Sequence, residues 1–423
     1  MTDHDAFLAA ICENPDEDTP RLVFADWLEE SDQPERAAFV RAQIELARTP
    51  AWEPFAVLCK WRQTDWLTGN PFRNTLPAVD GFHIEWHPEA FRRGFGWRLN
   101  VRSQLVWEQM GPQLLDRVPL GEMHLWEGAA TLDDWRRFAA SSVVRQLRRV
   151  HFMSSPIEPL RALRENPEEA LGITDLFFDR ASGAGMPEVV EDLLASPLGQ
   201  ALRGLHFRVG YESLALLMDM LGAATKLARL SFTTMGLTND LIRRLTATGA
   251  LRHLTELHLC SEYSLGNEGV FALAVDLPPG LQDLTCSYVG VKADGVEALA
   301  RAEQLTSLRR LNLSQNQLSP RAAKVLAASR SLIGLRSLIL NKCRLGDKGV
   351  RHLIRSKFWR NLVELDLRDN PISRAGVGYL LDAAIPPDLT ALVLDYEQIG
   401  TASQNELRKK YGERLVLSHV TAP

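Results

Sequence analysis

The chain has 423 residues, 45% of them hydrophobic and 24% charged, which is the composition of a folded protein rather than a disordered one. Its formal net charge of −5 gives no electrostatic reason to expect a nucleic acid or an anionic membrane as a partner. The acidic start of the chain and the lack of an uninterrupted apolar run of about 20 residues argue against a secretion signal and a membrane span.

Residues 1–50 are expected to form a small helical module. A first helix runs through DAFLAAICE and ends before Pro15, and Thr19 followed by Pro20 is typical of the N-cap and first turn of a second helix. A third helix follows Pro34. Apolar side chains at helical spacing predict a hairpin that folds on its own core: Leu22, Phe24, Ala25, Leu28, Phe39, Val40 and Ile44.

The same module carries a distinctive order of motifs. Pro-Asp is followed by Arg-Leu-Val-Phe-Ala-Asp-Trp-Leu-Glu and then by an Arg-Ala-x-Phe-x-Arg-x-Gln helix. This order resembles the short bacterial repeat-companion domain, which stands ahead of leucine-rich or other repeats in certain bacteria. The resemblance covers about 45 residues and implies a bacterial repeat protein, but the family has no established activity. Residues 51–93 are then expected to be a helical and looped connector that caps the first repeat.

From residue 94 to residue 418 the chain is predicted to be a solenoid of repeats. The pattern L-x-x-L-x-L recurs every 27 residues from Leu254 onward and with looser spacing before it. Degenerate repeats at 94–99 and 412–417 are expected to cap the two ends, and a tail follows at 419–423. About 11 full repeats begin at Leu120, Leu147, Ile173, Leu202, Leu227, Leu254, Leu281, Leu308, Leu335, Leu362 and Leu389. Because one repeat alone cannot bury its apolar edge, we expect stability to come from stacking.

Three polar residues fall eight positions after the first leucine of their repeats: Asn316, Cys343 and Asn370. Leucine-rich repeat proteins place Asn or Cys there, where the side chain satisfies backbone groups of the turning loop. With a helix in each 27-residue repeat, the chain resembles the ribonuclease-inhibitor-like subclass of that family. The resemblance implies an α/β fold, a right-handed horseshoe with parallel strands on the concave face and helices on the convex face.

The strand pattern also predicts columns of side chains on the concave face. The residue between the second and third apolar positions should point into this face, and that column begins with Arg98, His124, His151 and Phe177. Glu122 lies in the adjacent column, so His124, His151 and Glu122 are the candidate ligands of a metal ion. Histidine is also a common polar filler of an exposed strand face, and we therefore expect no metal or other cofactor.

A protein partner is expected on the same face. Aromatic and apolar residues there would either form interface anchors or be covered by the helical module. Charged residues of both signs are interspersed along the columns, which favours a protein over a phosphate backbone. The predicted partner-binding residues are Trp126, Met153, Phe177, Arg208, Glu256, Arg310, Asp366 and Arg368.

Enzymatic motifs are missing from the sequence. It contains no glycine-rich phosphate loop, no GxSxG elbow and no HExxH helix, and its five cysteines are widely spaced, which argues for reduced thiols in a cytoplasm. The leading hypothesis is therefore a non-enzymatic scaffold or adaptor, whose helical module docks or orients the partner. A regulatory inhibitor or activator of a partner enzyme is one alternative, and a metal-dependent activity at the histidine cluster is another.

Overall fold

The structure is a computed structural model that describes residues 3–62, 70–79, 81, 84–102, 104–115, 117–126, 130–154, 157–179, 186–208, 214–224, 226–262 and 264–418. The tail predicted at 419–423 lies outside these residues. The chain divides into two compact units: unit 1 comprises Met1–Pro50 and Arg62–Val209, and unit 2 comprises Ala51–Trp61 and Gly210–Pro423. The domain boundaries expected at residues 50, 93 and 418 stay a prediction.

Unit 1 begins with the helices α1 (Asp3–Glu13), α2 (Thr19–Glu30) and α3 (Pro34–Arg48). They share a buried core of Ile11, Phe24, Ala25, Leu28, Ala37, Val40 and Ile44. Leu22 was expected in that core, but it is 37% exposed. Thr19 was expected to cap α2, but Asp18 holds the N-cap position and its side chain forms no cap hydrogen bond. The Asp18 carboxylate is instead engaged by Arg48 and Arg93.

The three helices pack on the rest of unit 1 through a hairpin of β2 (Phe91–Arg92) and β3 (Phe95–Gly96). The ring of Phe24 lies 5.5 Å from that of Phe95. Gly94, in the turn of the hairpin, has a φ of 84°, and a Cβ atom there would lie 2.6 Å from Val40 Cγ2. Only glycine tolerates both the left-handed backbone and this close approach. The helical module is thereby seated directly against the hairpin.

The sheet of unit 1 is parallel except at its start. β1 (Ile84–Trp86) pairs antiparallel with β4. The parallel strands are β4 (Arg98–Val101), β5 (Glu122–Leu125), β6 (Arg149–Phe152), β7 (Asp175–Asp179) and β8 (Gly204–Arg208). The helices between them are α5 (Gln104–Leu115), α6 (Leu132–Ala139), α7 (Ser142–Gln146), α8 (Ile157–Glu165), α9 (Pro167–Ala170), α10 (Met186–Ala195) and α11 (Pro197–Ala201).

Unit 2 contains a second set of repeats and the helix α4 (Pro54–Arg62), except for its last residue, which belongs to unit 1. Its parallel strands are β9 (Arg229–Thr234), β10 (Glu256–Ser261), β11 (Asp283–Ser287), β12 (Arg310–Asn312), β13 (Ser337–Ile339), β14 (Glu364–Asp366), β15 (Ala391–Asp395) and β16 (Leu415–Ser418). Its other helices are α12 (Leu214–Met220), α13 (Asn239–Ala247), α14 (Gly266–Asp276), α15 (Ala293–Arg301), α16 (Ser319–Ala328), α17 (Gly346–Leu353), α18 (Arg374–Asp382) and α19 (Thr401–Tyr411).

The repeat step appears directly in the strand pairing. Leu311 pairs with Leu338, Leu338 with Leu365 and Leu365 with Leu392, and each step is 27 residues. These leucines are fully buried beneath the repeat helices, while alternate residues point to the opposite face of the sheet, which we name the inner face. The predicted α/β class, with parallel strands and helices in repeated units, is confirmed. Among the described residues, every helix is too short or too polar to span a lipid bilayer.

The register of β4 corrects one detail of the predicted columns. The pattern GFGWRL placed Arg98 in the same column as the histidines, but strand pairing aligns Arg98 with Glu122 and Asn100 with His124. The shift of two residues arises because Phe95–Gly96 pairs back with Phe91–Arg92 in the hairpin, so the parallel strand begins only at Arg98.

The loops after the strands of unit 2 are tied by the polar residues at the Asn/Cys position. Asn370 Nδ2 donates to the carbonyl oxygens of Leu340 and Leu367 at 2.8 and 3.0 Å, and its Oδ1 accepts from the backbone N–H of Cys343 and Leu345. The Cys343 thiol lies 3.2 Å from the carbonyl oxygen of Leu313, and burial raises its pKa to about 12. At such a pKa the sulfur is a neutral structural group and not a nucleophile.

Candidate interaction surface on the inner face

The inner face of unit 1 is a grid of side chains from five parallel strands. The histidine column is flanked by a charged column on one side and by the column of Trp126 on the other. In strand order the charged column is Arg98, Glu122, Arg149, Asp175 and Gly204; the middle column is Asn100, His124, His151, Phe177 and His206; the third is Arg102, Trp126, Met153, Asp179 and Arg208.

Rings in the middle column form a continuous stack. The ring centroids of His124 and His151 lie 3.9 Å apart, those of His151 and Phe177 lie 3.8 Å apart, and those of Phe177 and His206 lie 4.0 Å apart. The three ring pairs are within 16° of parallel. This contact fixes the orientation of each ring, so the imidazole nitrogens are held toward the neighbouring charged column.

Glu122 is the centre of the polar contacts. The Nε2 atoms of His124 and His151 lie 3.2 and 3.1 Å from its Oε1, and the Nε of Arg98 lies 2.6 Å from the same oxygen. Burial raises the pKa of Glu122, but the contacts with both histidines and the charge of Arg98 outweigh it and hold that pKa well below its usual range. Burial also lowers the pKa of His151 to about 4, so its ring is neutral at pH 7.

The structure brings the three candidate metal ligands together. One ligand atom from each of Glu122, His124 and His151 lies within 4.8 Å of the other two. A divalent ion at that point would lie beside the guanidinium of Arg98, with Arg149 3.7 Å from the second carboxylate oxygen. Since both guanidinium groups already compensate the carboxylate, the arrangement favours an ion-pair network over a metal centre.

We accordingly expect about 100 μM Zn²⁺ to change the free energy of unfolding by less than about 0.5 kcal/mol. Urea unfolding with and without zinc measures this change, and His124→Gln/His151→Gln serves as the comparison, because surface groups and cysteines also bind zinc. A zinc-dependent stabilisation of about 2 kcal/mol that disappears in the double variant would instead establish a metal centre.

The predicted partner-binding residues divide equally between the units. In unit 1, Trp126, Met153 and Phe177 are half-buried on adjacent strands, so each keeps part of its surface accessible. The guanidinium of Arg102 lies over the Trp126 ring at 5.4 Å. The Arg208 side chain is 70% exposed. Trp126, Met153, Phe177 and Arg208 therefore combine apolar area with an accessible cation, which is the composition of an interface hot spot.

In unit 2, the first strands present a polar inner face. Glu256 and Arg310 are half-buried there. Asp283 lies between His258 and Arg310, with distances of 3.3 Å to His258 Nε2 and 2.9 Å to Arg310 Nη1. Burial raises the pKa of Asp283, but these two partners outweigh it and lower the pKa overall. Arg310 therefore already has a carboxylate partner within the sheet.

The last strands of unit 2 are covered by α4. Val57 is fully buried against Val363, Ala391 and Val393. Asp366, a predicted partner-binding residue, is only 1% exposed. It holds the guanidinium of Arg368, which lies over the ring of Trp61 at 4.9 Å.

The covering helix was not foreseen from the sequence, where residues 51–93 were expected to be a connector that caps the first repeat. A signal was nevertheless present in the columns themselves. The inner-face positions become apolar at Ile339, Ala391 and Val393, after a run of polar residues in the preceding strands. An apolar group on an otherwise polar sheet face indicates that something packs on it.

A family model described as Leucine Rich repeat matches residues 304–327, 335–353 and 360–381. These segments hold the strands and helices from β12 to α18, whose loops carry Asn316, Cys343 and Asn370. These three segments are leucine-rich repeats, and the strands and helices before and after them repeat the same strand–helix geometry. No curated protein matches the chain.

Three solved structures are similar to the chain. The crystal structure of the Rad7 and Elc1 complex in yeast is 14% identical in sequence. The match covers 100% of this chain and 98% of the chain in that structure, with a TM-score of 0.45. An internalin (inlF) from Listeria monocytogenes is 17% identical, with coverages of 64% and 71% and a TM-score of 0.38. The TLR13–ssRNA13 complex is 16% identical, with coverages of 76% and 48% and a TM-score of 0.39. Similarity at this level does not bear on function.

Proposed function

We propose that this leucine-rich repeat protein is a non-enzymatic scaffold or adaptor that binds another protein through the inner face of its repeats. The observation that carries the proposal is the patch of Trp126, Met153 and Phe177 beside the exposed Arg208 in unit 1. Aromatic residues and arginine supply most of the binding energy in protein interfaces, because they combine large apolar area with a hydrogen-bonding group.

A protein partner fits this face better than a nucleic acid. Phosphate recognition needs cations that are free to neutralise the backbone. In the charged column, Arg98 is 2.6 Å and Arg149 3.7 Å from the carboxylate of Glu122, and in unit 2 Arg310 is 2.9 Å from that of Asp283. Cations that already have carboxylate partners support charge-complementary contact with a protein and not a phosphate track.

The narrower parts of the proposal rest on the sequence: the first two on resemblance, and the location on the widely spaced cysteines. We infer that residues 1–50 are a bacterial repeat-companion domain that docks or orients the partner, that the repeats are of the ribonuclease-inhibitor-like kind, and that the protein acts in the cytoplasm. A regulatory form of the same function, inhibition or activation of a partner enzyme, would use the same patch. Measuring the activity of the bound enzyme would distinguish the two forms.

Capture from a native lysate tests the proposal. The intact chain is expected to retain a protein that Trp126→Ala/Met153→Ala/Arg208→Glu retains at least about tenfold less, since loss of hot-spot contacts costs more than about 1.4 kcal/mol. This variant leaves the stacked rings in place. A matched control, Leu216→Ala/Met235→Ala/Arg243→Glu, removes two exposed apolar side chains and reverses the charge of an exposed arginine elsewhere. Equal losses with both variants would contradict binding at the inner face.

A further inference from the structure

Residues 51–61 contact the inner face of unit 2 through one side of a helix. The segment belongs to unit 2, whereas the residues directly before and after it in the chain belong to unit 1. Its contacting residues are Glu53, Val57, Lys60 and Trp61, which follow one another at i, i+4, i+7 and i+8. That spacing places all four side chains on the same side of α4.

The centre of the contact is apolar. Val57 is fully buried, and so are Val363 and Val393 of the sheet against which it packs. In the two preceding strands, the positions aligned with Val393 through the ladder are occupied by Asp366 and Ile339. Further along the same column stand the polar residues Asn312, Thr285, His258 and Ser231. Val393, on which α4 packs, and Ile339 are therefore apolar exceptions in a mostly polar column.

A buried carboxylate supplies the specificity of the contact. Glu364 is 0% exposed, and its Oε1 accepts from Lys60 Nζ and from Trp61 Nε1, each at 2.5 Å. Its other oxygen accepts from the hydroxyl of Ser337. Burial raises the pKa of Glu364, but the charge of Lys60 and the hydrogen bonds outweigh it and lower that pKa overall. A charge buried in this way is destabilising unless it is paired, so α4 provides the cation and the N–H donor that Glu364 requires.

Two arginines close the edges of the contact. Arg336 binds Glu53 at 2.9 Å and Asp388 at 3.0 Å. Arg368, held by Asp366, places its guanidinium over the indole of Trp61. The segment is thus recognised by an anion, an apolar group and two cations, as a bound helical peptide would be.

We propose that residues 51–61 are an intramolecular ligand that closes this part of the inner face, and that the partner which binds here is a helix with the same order of groups. Such a helix would carry an acidic residue, an aliphatic residue four positions later, and a Lys-Trp pair three and four positions after that. The inference rests on the proposed function of protein binding. Because a tethered segment acts at a high effective concentration, the partner must displace it, and its apparent affinity is reduced accordingly.

A peptide of residues 51–62 with Cys59 replaced by serine, labelled with fluorescein, tests this in the full-length protein. Val57→Asp/Trp61→Ala, the opening variant, removes the apolar and indole contacts of the tethered segment. We expect the opening variant to bind the peptide at least about tenfold more tightly than the unaltered chain does, because its site is vacated. Adding Glu364→Gln to the opening variant should reverse that gain, since the carboxylate that receives Lys60 and Trp61 is lost.

Hydrogen exchange of the amides of residues 55–61 gives a second measurement that does not depend on the peptide. The milder variant Lys60→Ala should accelerate this exchange at least about tenfold, whereas Lys348→Ala, at an exposed lysine of α17, should leave it unchanged. Unchanged exchange in Lys60→Ala, or equal peptide binding by the opening variant and the unaltered chain, overturns the inference.

The failure of this inference is distinguishable from failure of the proposed function. If the peptide binds the opening variant but the patch around Trp126 captures no protein, self-occupation stands and the scaffold proposal fails. If capture depends on Trp126 while the opening variant binds no peptide, only the intramolecular ligand is refuted.

Discussion

Replacing Asn316 with alanine is expected to lower the free energy of unfolding by about 3–5 kcal/mol. The side chain is 1% exposed, and its amide donates to the carbonyl oxygens of Cys286 and Leu313 at 2.7 and 2.9 Å. Its oxygen accepts from the backbone N–H groups of Gly290 and Val291 at 2.9 and 3.2 Å. Alanine would remove all four bonds, and each buried group that is left without a partner costs about 1–3 kcal/mol.

Urea unfolding followed by circular dichroism measures the effect, and the chain offers an adjacent control. Gln317 is exposed, so Gln317→Ala should change stability by less than about 0.5 kcal/mol. Asn370→Ala should resemble Asn316→Ala, because the amide of Asn370 makes the corresponding bonds two repeats further along the chain. Cys343→Ala should cost less, since a thiol is a weak donor. Similar stability of the Asn316 and Gln317 variants would show that the loops do not depend on these bonds.

The fold of the repeats is predictable because the constraints that set it are local and recur. Alternating apolar residues define each strand, the helical spacing of the next segment defines each helix, and a constant step from Leu254 onward makes successive strands pair in register. Asn316 and its counterparts are readable for the same reason, since an Asn or Cys at a fixed offset has one physical use there. Sequence periodicity was therefore sufficient for the class of fold.

The first repeat shows where periodicity fails. Its pattern GFGWRL has the right composition, but the register depends on Phe95–Gly96 pairing with Phe91–Arg92 and on the three N-terminal helices that pack against that hairpin. Both are long-range contacts that no local window contains. The error of two residues moved Arg98 out of its place beside Glu122, and with it the origin of the charge network around that carboxylate.

The docking of α4 was hidden for a related reason. Helical spacing in residues 54–61 predicts a helix but not the surface on which it lies. Glu364 and Asp366 looked like exposed charges because they occupy strand positions that point away from the repeat helices. Glu364 is buried because Lys60 and Trp61 bind it from a segment about 300 residues earlier in the chain, and Val57 of the same segment packs on the adjacent Val363. Only the apolar residues Ile339, Ala391 and Val393 marked this part of the face in the sequence.

Acidification from pH 7 to pH 4.5 is expected to lower the free energy of unfolding by up to about 3 kcal/mol through His151. Burial lowers the pKa of His151 to about 4 in the folded state, whereas an unfolded histidine titrates near 6.5. Between these values the unfolded chain takes up a proton that the folded chain does not, so stability falls as the pH falls. Burial also lowers the pKa of His87, which acts in the same direction.

The charges near His151 do not cancel this dependence of stability on pH. Glu122 stays ionised throughout the range because its pKa is held well below the usual value, and its own contribution is lost only below about pH 4.5, where unfolded glutamate becomes protonated. The guanidinium groups of Arg98 and Arg149 oppose a further cation on His151.

His151→Gln retains a hydrogen-bond donor for Glu122 but has no titrating group. Urea unfolding at pH 7.0, 6.0, 5.0 and 4.5 should therefore give a shallower pH dependence for His151→Gln than for the unaltered chain, while His253→Gln, at an exposed position, should keep the original slope. An unchanged slope in His151→Gln would mean that this ring accepts a proton without loss of its place in the stack, and that Glu122 compensates the added charge.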